Sequence, residues 1–256
     1  MYGLRVAPST ESEAVLRHGL AFAPRLAQME RSRPIVIPFE SLSLKLRNHV
    51  TAALSALGDL GAIEYAHIRL HQAICHNIAE MREHLDPTAI PKWHHKLLYE
   101  WCAQIPAPLE RISYDDVLAV SSRLMPEVRM AQSCGPHLVR AMLGSIAYQE
   151  LLFPKGSMDI TRGMYEEAVN ARFYNECVVA AVEIVLLEMP SERRVTAIEI
   201  GAGTGGTTSS LLPSLQSVCS KYMFTDVSEV FLNQARRRFS EYSSFMRYEI
   251  LNIDAD

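Results

Sequence analysis

The stretch Glu199-Ile200-Gly201-Ala202-Gly203-Thr204-Gly205-Gly206 carries the clearest chemical signal in this sequence. Glycines at alternate positions let a backbone turn sharply and come close to a ligand. A helix starting just after them offers unpaired N–H groups and the positive end of its dipole. In dinucleotide-binding sheets such a loop holds a pyrophosphate. Glu199 argues against that ligand here, because a carboxylate beside the loop repels a pyrophosphate. It suits a positively charged ligand instead, such as the sulfonium and amine of S-adenosylmethionine. Asp226, followed by Val227, closes the next short apolar run, where an acid can accept both hydroxyls of a ribose. The third run ends at Asn252-Ile253-Asp254, where a side-chain acceptor can meet an adenine amino group. The three run ends would converge on one crevice, the usual ligand position in open α/β sheets.

Such convergence needs a parallel sheet, and the local pattern predicts one. Arg194–Ile200, Lys221–Thr225 and Phe245–Ile253 read as short strands, with helices over Thr207–Leu215 and Ser228–Tyr242 between them. This β-α-β-α-β order implies right-handed crossovers. Upstream, the first 190 residues read as almost entirely helical. Helices are expected over Glu11–Glu30, Phe39–Leu60, Glu64–Leu85, Pro91–Ile105, Ser113–Leu124, Cys134–Phe153 and Ile160–Leu187. Asp86-Pro87 and Pro106 act as stops, and Ser113 acts as an N-cap ahead of two acids. The expected fold class is therefore α/β. An all-helical lid domain (1–190) precedes the β-α-β-α-β start of a Rossmann-like core (191–256), with the boundary near Pro190–Arg193.

The residues that carry this pattern also carry a resemblance. AIEIGAGTGGTTSSLLPSL, YMFTDVSEVFLNQARRRF and MRYEILNID closely resemble the C-methyltransferase domain of modular polyketide synthases, within the class I S-adenosylmethionine-dependent methyltransferases. The lead-in SCGPHLVRAMLGSIAYQELLFPKGSMDITRGMYEEAVNARFYNECV resembles the same family. The helical segment before it is similar only in character. The resemblance implies methylation of the α-carbon of an acyl thioester on an acyl carrier protein, with S-adenosyl-L-methionine as donor. Gly201, Gly203 and Gly205 match the family's cofactor loop, with Glu199, Ala202 and Thr204 around them. Asp226 matches the ribose-binding acid. Asn252 replaces the Asp of a Leu-Asp-Ile motif, keeping an acceptor oxygen beside Ile253 but losing the charge, and Asp254 is close enough to be an alternative. Tyr165 and Tyr174 fall in the helix whose family counterpart covers the cofactor. The family's catalytic base is a His in a later segment with no counterpart here, so the expected reading is a core that stops after its third strand. RVTAIEI would then be an open edge, to be completed by neighbouring synthase domains or a second chain. A non-catalytic adaptor of the kind found in some loading modules is the alternative. A nicotinamide oxidoreductase is a third class, disfavoured by Glu199.

Composition narrows the remaining classes. The chain has 256 residues, 48% of them hydrophobic and 21% charged, which excludes disorder. Its net charge of −4 gives no electrostatic footprint for nucleic acid or an anionic membrane. Its most apolar run, Val178–Leu187, is broken by Glu183 and falls short of the roughly 20 residues a spanning helix needs. Five scattered cysteines without a CxxC pair read as free thiols in a cytoplasmic protein. His67 and His71, with Glu64 a turn earlier, have spacing a metal could use, but a surface or lid role is the stronger expectation. Trp93, Tyr99 and Trp101 are expected to pack into the helical core. Arg236-Arg237-Arg238 reads as a solvated helix end, with contact to an acidic carrier protein as the sharper alternative.

Overall fold

The computed structural model describes residues 4–7 and 35–254, so the expected Glu11–Glu30 helix lies outside the described residues. Two short strands, β1 (Leu4–Ala7) and β2 (Ile35–Pro38), pair in parallel. They depart from the all-helical expectation, and the β-branched run Ile-Val-Ile explains β2. Nine α-helices follow among the described residues. They are α1 (Phe39–Ala56), α2 (Leu60–His84), α3 (Trp93–Ala103), α4 (Tyr114–Val120), α5 (Met125–Cys134), α6 (Leu138–Met142), α7 (Tyr148–Leu152), α8 (Asp159–Glu166) and α9 (Val169–Leu187).

Local chemistry sets most of the helix ends. The Asp59 side chain accepts from the Ala62 amide at the start of α2. Ser113 and Asp116 form a reciprocal capping box on α4. Two expected helices are interrupted. Cys134–Phe153 breaks where Gly144 adopts φ +72°, separating α6 from α7. Ile160–Leu187 breaks between α8 and α9, where Ala168 leaves the helical region at ψ 142°. The stretch 125–133 lies between two expected helices and is itself helical, within Met125–Cys134. It forms α5, opened by Pro126 in its first turn.

The helical region buries two apolar clusters. One joins Ile63, Ala66 and Leu70 of α2 to Val117, Leu124 and Val128. The other joins Ile78 and Met81 to Ile90, Cys102 and Met142. α3 turns Tyr99 and Cys102 toward this core. Trp93 and Trp101 point away, 73% and 59% exposed, contrary to the packing expected of them. The reason is helical phase, because residues four and eight apart share a face opposite Cys102. His67 Nδ1 sits 2.9 Å from the Ile63 carbonyl and its Nε2 4.0 Å from Glu127, while His71 lies against Cys75.

β3 (Val195–Ile200), α10 (Gly206–Leu215), β4 (Cys219–Asp226), α11 (Glu229–Arg238) and β5 (Met246–Ile250) complete the described chain. The sheet order is β3-β4-β5, parallel throughout. The register pairs Glu199 with Phe224 and Phe224 with Tyr248, so all three side chains share a face. That face packs Tyr222, Phe224 and Met246 against Leu211, Leu212 and Leu215 of α10 and Leu232 and Ala235 of α11. α9 adds Val179, Val182 and Leu186 to the same cluster, so a helix from before the expected boundary is part of the sheet's core. On the opposite face Ile198 and Ile200 are exposed, and among the described residues β3 is an edge strand.

The Trp placement is directly testable. These are the only two tryptophans in the chain. Native emission should therefore be quenched by acrylamide nearly as efficiently as in the unfolded protein. Protected tryptophans would contradict the α3 orientation.

Candidate functional site

The loop from Gly201 to Gly205 leaves β3 through three positive φ values: Gly201 at +70°, Gly203 at +56° and Gly205 at +77°. Any other L-residue is strained there. Gly205 has a second constraint, since an added Cβ would stand 2.8 Å from the Phe239 ring. The loop is tied down by the Ala202 amide to the Thr225 carbonyl (2.9 Å) and by the Gly205 amide to the Ala202 carbonyl (3.0 Å).

Asp226 is the centre of the arrangement. Its carboxylate is buried, with the residue only 6% exposed, and two backbone amides satisfy it. Gly203 N–H donates to Oδ2 and Ser228 N–H to Oδ1, both at 2.8 Å. The carboxylate thus joins the glycine loop to the turn into α11. Each oxygen keeps acceptor capacity beyond the amide it binds. Around it the strand ends expose Ile200, Val227, Ile250 and Ile253, an apolar rim on a polar centre. Asn252 is exposed at the same rim, and its Oδ1 accepts the Asp254 amide at 3.0 Å. That local turn uses one lone pair of the amide oxygen and leaves the second free.

Glu199 shares a sheet face with Asp226, but its carboxylate bonds into the core. Its Oε2 accepts from the Thr208 hydroxyl and from Tyr222 Oη (2.7 Å). Desolvation pushes its carboxyl above the ordinary glutamate range, with the two hydrogen bonds opposing. Tyr222 is also pushed up, by burial first and by the Glu199 charge second. Glu199 therefore braces β3 against α10 and β4 beneath the loop, and its charge acts from within the protein.

The helical region reaches the loop at the end of α8. Asn175 in α9 donates to the Tyr165 carbonyl (3.0 Å) and accepts from the Thr207 hydroxyl (2.9 Å). The Tyr165 carbonyl oxygen would meet a Cβ on Gly206 at 2.7 Å, so only glycine lets the two backbones approach this closely. The Tyr165 and Tyr174 rings themselves are exposed. Arg238 grips both oxygens of Glu166 and donates to the Thr204 carbonyl at 3.3 Å. Asn175, Thr207, Thr208, Tyr222 and Glu166 carry no expectation from sequence, and Arg238, expected within a solvated helix end, is instead latched to Glu166. Asn175 lies in the polar first half of α9, ahead of the apolar run Val178–Leu187, so no local signal marks it.

Residues 198–256 match the family described as "Methyltransferase domain". The chain is 29% identical over 213 residues to the reducing polyketide synthase BOA6 of Botryotinia fuckeliana, across 77% of this chain and 8% of that protein. It is 36% identical over 120 residues to the polyketide synthase ThaG of Burkholderia thailandensis, across 46% of this chain and 2% of that one. Among solved structures it resembles the CurJ carbon methyltransferase with a TM-score of 0.72 at 21% identity, covering 84% of this chain and 66% of that one. It also resembles the citrinin polyketide synthase CMeT domain with a TM-score of 0.68 at 18% identity, covering 85% of this chain and 66% of that one. The chain thus spans just under two-thirds of the solved domains and a small fraction of the curated relatives. The fold is that of a class I methyltransferase, with a helical region preceding the sheet.

Two outcomes follow from the loop and its brace. Gly205→Ala should destabilise by about 1–3 kcal/mol, through backbone strain and the clash with Phe239, as read by chemical denaturation. Because the native Glu199 pKa is raised, its stabilising contribution is present at acid pH and is lost as pH rises through the raised value. Glu199→Gln removes that loss. It should melt above the wild type at neutral pH, by an amount on the order of 1 kcal/mol, and converge with it in acid. A variant that is less stable at every pH would contradict the burial argument.

Proposed function

We propose that this chain, whose residues 198–256 match a methyltransferase domain, is the lid and cofactor-binding portion of an S-adenosylmethionine-dependent C-methyltransferase. Its acceptor is the α-carbon of an acyl thioester on an acyl carrier protein, and its setting is polyketide biosynthesis. The observation that carries the reading is the Gly203–Asp226 contact at the ends of adjacent parallel strands. It supports a ligand with ribose hydroxyls at Asp226 and a short polar tail over the glycine loop.

The residues present fit that cofactor. The loop at Gly201 has no atom within 4 Å of where a Cβ would stand, which leaves its backbone open to close approach. Asp226 keeps free lone pairs for the hydroxyls, and Val227 and Ile253 offer apolar surface to flank a base. Buried negative charge at Glu199 and Asp226 favours the cationic donor over a pyrophosphate. When bound, S-adenosylmethionine supplies an electrophilic methyl on a sulfonium. The protein's part is to orient that group and exclude water from it, a task that suits the apolar rim and the nearby helical region. Methyl transfer to carbon also needs a base or oxyanion stabiliser to form the enolate, and no side chain of this site is assigned that role.

The polyketide setting rests on the two synthase relatives and on the shared fold. Neighbouring synthase domains and the acyl carrier protein are the corresponding partners. Among the described residues no helix is long and apolar enough to cross a membrane. All five cysteines are free, which supports a cytoplasmic setting.

Calorimetric titration with S-adenosylhomocysteine should show saturable binding, and NADH should show none. Asp226→Ala should weaken S-adenosylhomocysteine about tenfold or more. Absence of binding by the wild-type chain would refute the cofactor assignment and favour a scaffold without a ligand.

A further inference from the structure

We propose that the cavity between the Gly156–Met158 turn, the Gly203–Thr204 loop and α11 receives the phosphate-bearing arm on which the acyl acceptor is carried. This inference rests on the methyltransferase reading and deepens it by giving the acceptor a place to enter. The cavity holds about 510 Å³, and three arginines, Arg162, Arg237 and Arg238, are among its lining residues. Among the described residues, no carboxylate lines it. Arg162 pairs with Asp159 at 3.1 Å, and Arg238 pairs with Glu166. Arg237 makes no ion pair among the described residues, so the cavity wall carries uncompensated positive charge.

Charge separates this cavity from the donor site. Asp226 and Glu199 make one side of the glycine loop acidic, which suits a sulfonium. The Arg238 side of the same loop is basic, which suits an anion. A carrier-borne thioester has that complementary character, with a phosphodiester at one end, an apolar-to-amide chain and the reacting thioester at the other. Met158 and Phe231 give the cavity an apolar wall for such a chain. The Phe231 ring contacts that of Phe153 at 6.2 Å, and Gly156 borders both this cavity and a second one of about 580 Å³. Lys155 lines that second cavity and is the one non-glycine residue with positive φ (+54°) among the described residues. The two cavities thus lie on either side of Gly156, and the one beside the glycine loop is the one lined by the arginines.

The neighbouring arginine provides an internal control. Arg236 lies over the Tyr248 ring at 5.4 Å and bonds to Asn233 at 2.8 Å, away from the cavity. The run of three arginines is thus divided among a ring contact, a free cation and a latch to Glu166.

The test is calorimetry on the 256-residue chain with butyryl-phosphopantetheine and with butyryl-pantetheine, which differ only in the phosphate. The phosphorylated thioester should bind about tenfold more tightly, a gap that narrows with added salt. Arg237→Glu should abolish the gap, and Arg236→Glu should preserve it, with melting curves confirming that both fold. Equal affinities, or a gap that survives Arg237→Glu, would overturn the assignment. So would inorganic phosphate competing as strongly as the phosphorylated thioester, since the apolar wall would then contribute nothing. A parallel titration with S-adenosylhomocysteine separates the two readings. Binding of that ligand without either thioester defeats the cavity assignment alone, whereas binding of the phosphorylated thioester without it defeats the cofactor assignment alone.

Discussion

The buried carboxylate of Asp226 holds the site together. A carboxylate with so little contact with water must be compensated, and here two backbone amides compensate it. One belongs to the glycine loop and the other to the turn into α11. Removing the charge would orphan both amides, and removing the loop's glycines would deny the amide its position. The parallel register of β3 and β4 brings the two segments together, so sheet pairing and the geometry of the loop are one constraint.

The rest of the core supports that junction. Glu199 braces the strand below the loop through Thr208 and Tyr222, at the cost of burying a charge. Phe239 and Phe224 pack under Gly205. From outside, Asn175 and Arg238 pin the end of α8 against the start of α10 and the loop. The helical region is thus fastened to the loop at two points. Opening a site beneath it would mean releasing contacts at Tyr165 and Glu166, residues otherwise unremarkable in sequence.

Much of this was legible in the sequence, for identifiable reasons. β3, β4 and β5 stood out because β-branched and aromatic runs alternate with helical spacing, and glycine followed the first run at once. Asp226 could be located because a strand end is visible as a change of pattern. The direction of Glu199 was not legible. A strand alternates faces, so whether an acid beside a loop points at a ligand or into the core depends on register, and register follows from partners far away in sequence. The breaks at Gly144 and Ala168 were hidden because apolar periodicity continued across them. Trp93 and Trp101 were misplaced because residue type suggested burial while helical phase dictated exposure. Arg238 and Glu166 are far apart along the chain, and nothing local in either segment announces the other.

The central claim is that the glycine loop and Asp226 together hold S-adenosylmethionine. Its most direct test is an amide-resolved NMR titration of isotope-labelled chain with S-adenosylhomocysteine. The account predicts saturable shifts at Gly201, Gly203, Gly205 and Val227, while the amides of α2 and α4 stay in place. Glycine-loop amides that do not move at saturating ligand, or shifts confined to the helical region, would contradict it.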